Sequence, residues 1–268
     1  MSDILTGFKR EEWIKAIHDN WTSFILLIGR TPEFEIIKSD QLITRSSGLK
    51  LRLFNRVMRT RLSSSNADSK IQETIDYYAS KKLPFLWQVY PGDTPDDLSQ
   101  RLENHGFTRN YGRGMALEID KLKVPQLPEG FTYEKVTTPE LAEMRARLLP
   151  KAAGIPEPFQ DFLTQIHLSI EIRDDYVHYL GFLDGEPIAC STVLYSDGVA
   201  GIHSVATLPS ARRRGIGAYI SAVPLFEARD RGYKVSILYA SEMGFKVYER
   251  LGFVMYCQPV HYHWDPPT

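Results

Sequence analysis

The chain has 268 residues, 43% hydrophobic and 24% charged, with a formal net charge of -1. This describes a globular protein of one large or two ordinary domains, with two favoured. The balanced charge excludes a protein whose main work is coating nucleic acid or an anionic membrane, and leaves room for a small anionic ligand.

In chain order, apolar periodicity predicts a helix over 10–28, strands within 34–47 and 49–62, and a helix over 69–82. A strand at 83–90 and a helix over 95–107 follow, and a strand at 112–119 closes that half. The stretch 121–130, "KLKVPQLPEG", carries two prolines and a glycine and is the linker candidate. Beyond it come a strand at 131–136, helices around 139–149 and 158–172, and two alternating runs across 176–195 hinged at Asp184-Gly185, a hairpin signal. Then follow a strand at 200–207, a helix after Gly215, a strand at 234–240, a helix over 241–253 and a final strand pair within 254–264. Pro224 falls inside the helix after Gly215, where a proline costs about 3 kcal/mol and is expected to kink or shorten it.

The sharpest feature is "ATLPSARRRGIGAYI" at 206–220. A dinucleotide fingerprint needs glycine where Ile220 stands, and a nucleotide triphosphate loop needs Gly-Lys-Ser/Thr, so both fail. What remains is a strand, a turn through Pro209, three arginines, Gly215, Gly217 and an apolar helix. A helix start offers unpartnered N–H groups and partial positive charge, which suits a pyrophosphate, while Arg212 can also brace the turn.

With Arg212, Gly215 and Gly217 in Arg-x-x-Gly-x-Gly spacing, and Tyr248, Gly252 and Phe253 closing "ILYASEMGFKVYERLGF", the sequence resembles the GNAT superfamily of acyl-CoA-dependent N-acyltransferases. The resemblance implies an α/β fold of tandem GNAT-like domains, each a mixed, mostly antiparallel sheet flanked by helices. A degenerate N-terminal domain would occupy 1–122, the linker 123–130 and the catalytic acetyltransferase domain 131–268. It further implies acetyl-CoA as acyl donor. Backbone groups of Val205 and Thr207 would pair with the pantetheine arm, and the amides of Arg213, Arg214, Gly215, Ile216, Gly217 and Ala218 would hold the pyrophosphate. The family often has Asn soon after the second strand; this chain reads Ser241-Glu242-Met243, leaving Ser241 to meet CoA there. Ser241 also reads as a helix N-cap and Gly252 as the left-handed residue past the helix end.

Tyr248, protonated at neutral pH with a reference pKa of about 10, is the candidate acid for the departing thiolate. Alternation puts His203 on the face of Val205, as base for the acceptor amine or equally as a half-buried structural histidine. The acceptor is expected to be a small-molecule amine or amino acid, with a peptide or protein amine left open. The competing reading is an acyl-CoA-binding sensor without turnover, which has no use for Tyr248.

His261 and His263 would share a strand face, but no third ligand accompanies them and no metal is expected. Cys190 and Cys257 lack Cys-x-x-Cys spacing and read as small apolar strand residues in a reducing cytoplasm. No targeting or membrane segment is expected, since the apolar run at 24–29 is too short to span. The oligomeric expectation is a monomer or homodimer. Finally, 83–107 echoes the C-terminal strand-helix unit, ending in Gly106-Phe107 with Leu102 where the other copy has Tyr248. A silent N-terminal copy is the consequence.

Overall fold

The computed structural model describes residues 4–7 and 9–267 of an α/β chain with two mixed sheets, each mostly antiparallel and flanked by helices. One sheet holds β1 (Glu35–Lys38), β2 (Ile43–Ser46), β3 (Arg56–Met58), β4 (Phe85–Val89), β13 (Val260–Trp264) and β5 (Thr108–Tyr111), in that order. Only β3 and β4 run parallel, joined through α2 (Ala67–Ser80). Ile71 and Tyr78 of α2 pack with Leu98 and Leu102 of α3 (Leu98–Asn104) over Phe85, Trp87 and Tyr262 of the sheet.

The other sheet runs β12 (Val254–Cys257), β6 (Gly114–Glu118), β11 (Val235–Tyr239), β10 (Val199–Thr207), β9 (Glu186–Ser196), β8 (Tyr176–Leu183) and β7 (Phe131–Lys135). Here only β10 and β11 run parallel, joined through α6 (Ile216–Asp230). One face, with Val177, Val193 and Ile202, packs under α6 and α7 (Glu242–Leu251). The opposite face meets α4 (Pro139–Ala152) through Leu180 and Cys190, and α1 (Arg10–Ile28) through Val235 and Ile237. A further helix, α5 (Gln160–Leu168), hydrogen-bonds to α4 from Thr164 Oγ1 to Ala146 O at 3.3 Å.

Most predicted elements form where the periodicity puts them, including the β8–β9 turn with Asp184 and Gly185 both at positive φ. Three differences are informative. The region 49–62 contributes only the short β3 after a 3-10 turn at Arg52–Phe54. The helix after Gly215 continues through Pro224 to Asp230, since packing of its apolar residues outweighs the one backbone bond the ring removes. The strands within 254–264 do not pair with each other: β12 joins β6, whereas β13 lies between β4 and β5. Likewise β6, expected to close the N-terminal half, lies between β11 and β12.

The compact units therefore differ from the expected split at 123–130. One unit holds α1 with Arg113–Cys257; the other holds Gly29–Gly112 with the chain from Gln258 onward. Linear composition marks the linker, but strand pairing decides which sheet completes each edge.

The internal echo extends to single hydrogen bonds. In α7 the N–H of Gly252 donates to Glu249 O (3.0 Å) and that of Phe253 to Tyr248 O (3.0 Å). After α3 the N–H of Gly106 donates to Glu103 O (3.0 Å) and that of Phe107 to Leu102 O (3.1 Å). Both glycines are left-handed, with φ of 103° and 84°, completing the same helix-ending motif twice.

Alanine at either glycine carries the left-handed penalty of about 1–2 kcal/mol. A Cβ at Gly252 would also lie 3.2 Å from Lys121 O, whereas at Gly106 it meets nothing within 4 Å. Urea unfolding should therefore show a larger loss for Gly252→Ala than for Gly106→Ala; equal losses would contradict this packing.

Candidate active site

The site begins where a strand pair comes apart. β11 pairs with β10 only at Ala200, Gly201 and Ile202, although β10 continues to Thr207. Beyond Ile202 the β9 register shifts between His203 and Ala206, and Ser204 takes φ 49°, which marks a bulge. The extra residue reverses the alternation. His203 faces Asn20 and Phe24 of α1, while Val205 packs on the α6 side. The expected shared face of His203 and Val205 is thus corrected by one inserted residue.

The N-terminal counterpart is closed at the same point. β3 and β4 pair at only two positions, but beyond them Thr94 N–H donates to Thr60 O and Leu62 N–H to Thr94 O, both at 3.1 Å, so the chain after β4 bridges to the chain after β3. Trp87 Nε1 adds a bond to Thr60 Oγ1 at 2.8 Å. Asn66 Oδ1 accepts from Ser63 N–H ahead of α2, and Leu102, where the other copy has Tyr248, is buried.

In the open copy, Arg212 braces the turn after β10. Its Nε donates to Thr207 O and its NH2 to Ala152 O, both at 3.1 Å. That uses the Thr207 carbonyl and makes Arg212 a structural clamp, the second of its two expected uses. Arg213, at φ 61°, Arg214 and Gly215 are exposed. Gly215, at φ 80°, caps α6 in a conformation that strains any side chain. Ala218 N–H already donates to Gly215 O at 3.1 Å, so Ala218 leaves the expected donor set. The N–H groups of Arg213 to Gly217 have no partner among the described residues. A Cβ on Gly217 would touch only Thr207 Oγ1, at 3.5 Å. The protein itself does not demand glycine there; the bare backbone leaves the amide run approachable. These donors, with positive charge at a helix start, fit a pyrophosphate.

Tyr248 lies on α7 with its ring edge-on to Phe253. Burial pushes its phenol up to about 12, against a smaller lowering by nearby Ser221. Ser221 Oγ donates to Gly217 O at 2.6 Å. Burial thus keeps the phenol protonated. Ser241 Oγ accepts from Gly244 N–H at 3.1 Å as the N-cap of α7, which is its observed use.

His203 has the surroundings of a structural histidine. Its ring stacks on Phe24 at 4.1 Å, and Nε2 lies 2.8 Å from Asn20 Oδ1. Asn20 Nδ2 donates to Leu194 O and Ser196 Oγ, so Oδ1 must face His203 and Nε2 must carry the hydrogen. Gly201 is required beneath this pair, because a Cβ there would collide with Asn20 Oδ1. Nδ1 is buried without a partner, and burial pushes the imidazole down to about 3. A base that weak is poorly matched to an ammonium near 10.4.

The sequence predicts helix α1 but not its place beside the site. The helix brings Asn20, Trp21 and Phe24 around His203, and His18 Nδ1 within 2.6 Å of Tyr239 Oη at the end of β11. The available signal was the buried polar set His18, Asn20 and Thr22 within an otherwise apolar helix face.

The remaining candidates lie elsewhere or are inert. His261, on β13 of the other sheet, has Nε2 3.1 Å from Gln88 Nε2. Among the described residues no group of three or more His, Cys, Asp or Glu could hold a metal. Burial pushes the Cys190 thiol up, and Cys257 up to about 11, the opposite of what a nucleophile needs. No helix among the described residues is long and apolar enough to cross a membrane.

Residues 139–253 match the sequence model of the Acetyltransferase (GNAT) family. A GCN5-related N-acetyltransferase from Kribbella flavida is similar in structure at 21% identity, covering 93% of this chain and 96% of its own, with a TM-score of 0.68. A GCN5-related N-acetyltransferase from Sphaerobacter thermophilus is similar at 18% identity, covering 85% and 82%, with a TM-score of 0.62. A tandem GNAT protein from the clavulanic acid biosynthesis pathway is similar at 13% identity over 97% and 95%, with a TM-score of 0.59. Among curated proteins none matches the sequence significantly.

The buried histidines set an acid limit. His203 is held near 3, and burial, with Arg145 beside them, holds His167 and His178 well below the usual range. The unfolded chain protonates them near 6.5 while the native state does not. Stability is thus full above that pH and falls below it, by about 1.4 kcal/mol per pH unit for each. In His203→Gln, which can still donate to Asn20, denaturant titration should give a shallower decline between pH 6 and 4. An unchanged slope would contradict the assignment.

Proposed function

From residues 139–253 as a GNAT-family acyltransferase domain, we propose that the protein is an acetyl-CoA-dependent N-acetyltransferase acting on a primary amine of a small molecule or amino acid. The observation that carries this reading is the run of unpartnered amides at Arg213 to Gly217, lying directly after the divergence of β10 from β11.

Acetyl-CoA, when bound, supplies an acetyl thioester. The chain's own residues hold it and protonate the thiolate. The acceptor attacks as the free amine after losing its ammonium proton to water, and the proton its nitrogen sheds on becoming the amide replaces the one Tyr248 gives up. The amides from Arg213 to Gly217 bind the pyrophosphate, with Arg213 and Arg214 adding positive charge at the exposed mouth. The unpaired end of β10, at Val205 and the Thr207 N–H, offers backbone groups to an extended pantetheine arm. Tyr248 holds a proton for the departing thiolate. Its raised pKa keeps it fully protonated at neutral pH, so a proton is present at the site when the thiolate, whose acid lies near 8.5, departs. His203 serves as a positioning residue, keeping Asn20 and Phe24 against β10 beside the bulge.

CoA release from acetyl-CoA across a panel of amines and amino acids tests the reading. Acceptor-dependent release should fall by about 10²–10⁴-fold in Tyr248→Phe while CoA binding persists. Unchanged turnover in that variant would overturn the acid assignment. Binding without turnover on any acceptor would favour the acyl-CoA sensor, and absence of binding would overturn the pyrophosphate site.

Gly217→Leu tests the cradle separately. Its side chain would occupy the space before the amides, so KM for acetyl-CoA should rise at least about tenfold while the fold persists by circular dichroism. An unchanged KM would place the pyrophosphate elsewhere.

A further inference from the structure

The sheet face beneath α4 carries a charge with nothing opposite it. Arg145, on α4, is 2% exposed, and among the described residues it makes no ion pair. Its guanidinium donates to Thr192 Oγ1 at 2.7 Å and, at 3.4 Å, to His167 Nδ1. Nε is buried with no partner. Arg212, in the same unit, differs in that two backbone carbonyls accept from it. An isolated buried guanidinium is among the costliest arrangements in a protein interior, and it normally has an anion against it.

The neighbours of Arg145 are polar and neutral. His178 Nδ1 lies 2.9 Å from Thr192 Oγ1, and the Tyr176 ring meets His178 edge-on at 4.4 Å. The Tyr176 hydroxyl is buried and has no partner. Arg145, Tyr176 and Thr192 thus gather polar groups around a gap in the charge balance, and no carboxylate among the described residues supplies the missing half.

Register fixes where this cluster stands. Thr192 is the direct partner of His178 on β8 and of His203 on β10. His203 is the last residue of β10 before the bulge and the divergence from β11. Arg145 therefore reaches the strand next to the open segment. An anion held there would stand one strand away from the parted edge of β10.

We propose that Arg145 binds a carboxylate of the acceptor, with Thr192 and Tyr176 beside it, so that the enzyme selects amino acids over simple amines. The substrate identity rests on the N-acetyltransferase reading; the anion site rests on the Arg145 cluster itself.

The test uses the full chain, with amino acids bearing the amine α or ω to the carboxylate, each compared with its primary amide and its decarboxylated amine. CoA release should show kcat/KM at least about 100-fold higher for a favoured acid than for its amide or amine. Arg145→Lys, which keeps the charge but loses the fork, should raise KM for that acid at least about tenfold and leave KM for acetyl-CoA unchanged. Amides and amines turned over as fast as the acids would overturn the proposal, and this comparison in the wild type stands even where the variant fails to fold. Thermal shift without CoA separates the two readings when no acceptor is turned over. Stabilisation by the acids and not their amides would uphold the anion site and place the failure in the transferase reading. No stabilisation by the acids would overturn the anion site.

Discussion

The candidate site depends on one broken ladder. β10 and β11 are parallel neighbours for three residue pairs and then part, because the Ser204 bulge turns β10 away from its partner. An interior strand end with unpaired backbone is costly unless something else bonds it. The same chain shows the closed alternative, where Thr60, Leu62 and Thr94 keep the equivalent pair bridged. Two copies of one architecture thus differ at the point where a ligand could enter: the open copy has the glycine-bounded amide run, and Tyr248 four residues before its helix-ending glycine where the other has Leu102.

Burial then sorts the titratable groups by role. The same loss of water that holds Tyr248 protonated strips His203 of its basicity. Arg145 differs, since a buried guanidinium normally needs a counter-charge. That difference makes Arg145, rather than a histidine, the group that speaks to the acceptor's chemistry.

Much of this was legible in the sequence because it is local. The α6 loop follows from Gly215 and the arginines, the α7 ends from Ser241 and Gly252, and the echo from Gly106-Phe107. What stayed hidden depends on partners distant in the chain. Nothing near β6 or β13 says which sheet will complete its edge, and a one-residue bulge at Ser204 defeats an alternation argument that is sound for a regular strand. Asn20 and Arg145 read as ordinary helix residues until α1 and α4 lay them on β10 and β9. The family resemblance could name the loop, but it carried no information about these acceptor-side groups.

The most direct measurement is amide hydrogen exchange with and without saturating CoA. Exchange is expected to slow at Arg213 to Gly217 and at Val205 and Thr207, with the N-terminal counterpart at 63–67 unchanged. Exchange that stays the same across 205–217 while CoA is bound, or protection confined to other segments, would contradict the claim that the parted strands and the Gly215 loop hold the acyl donor.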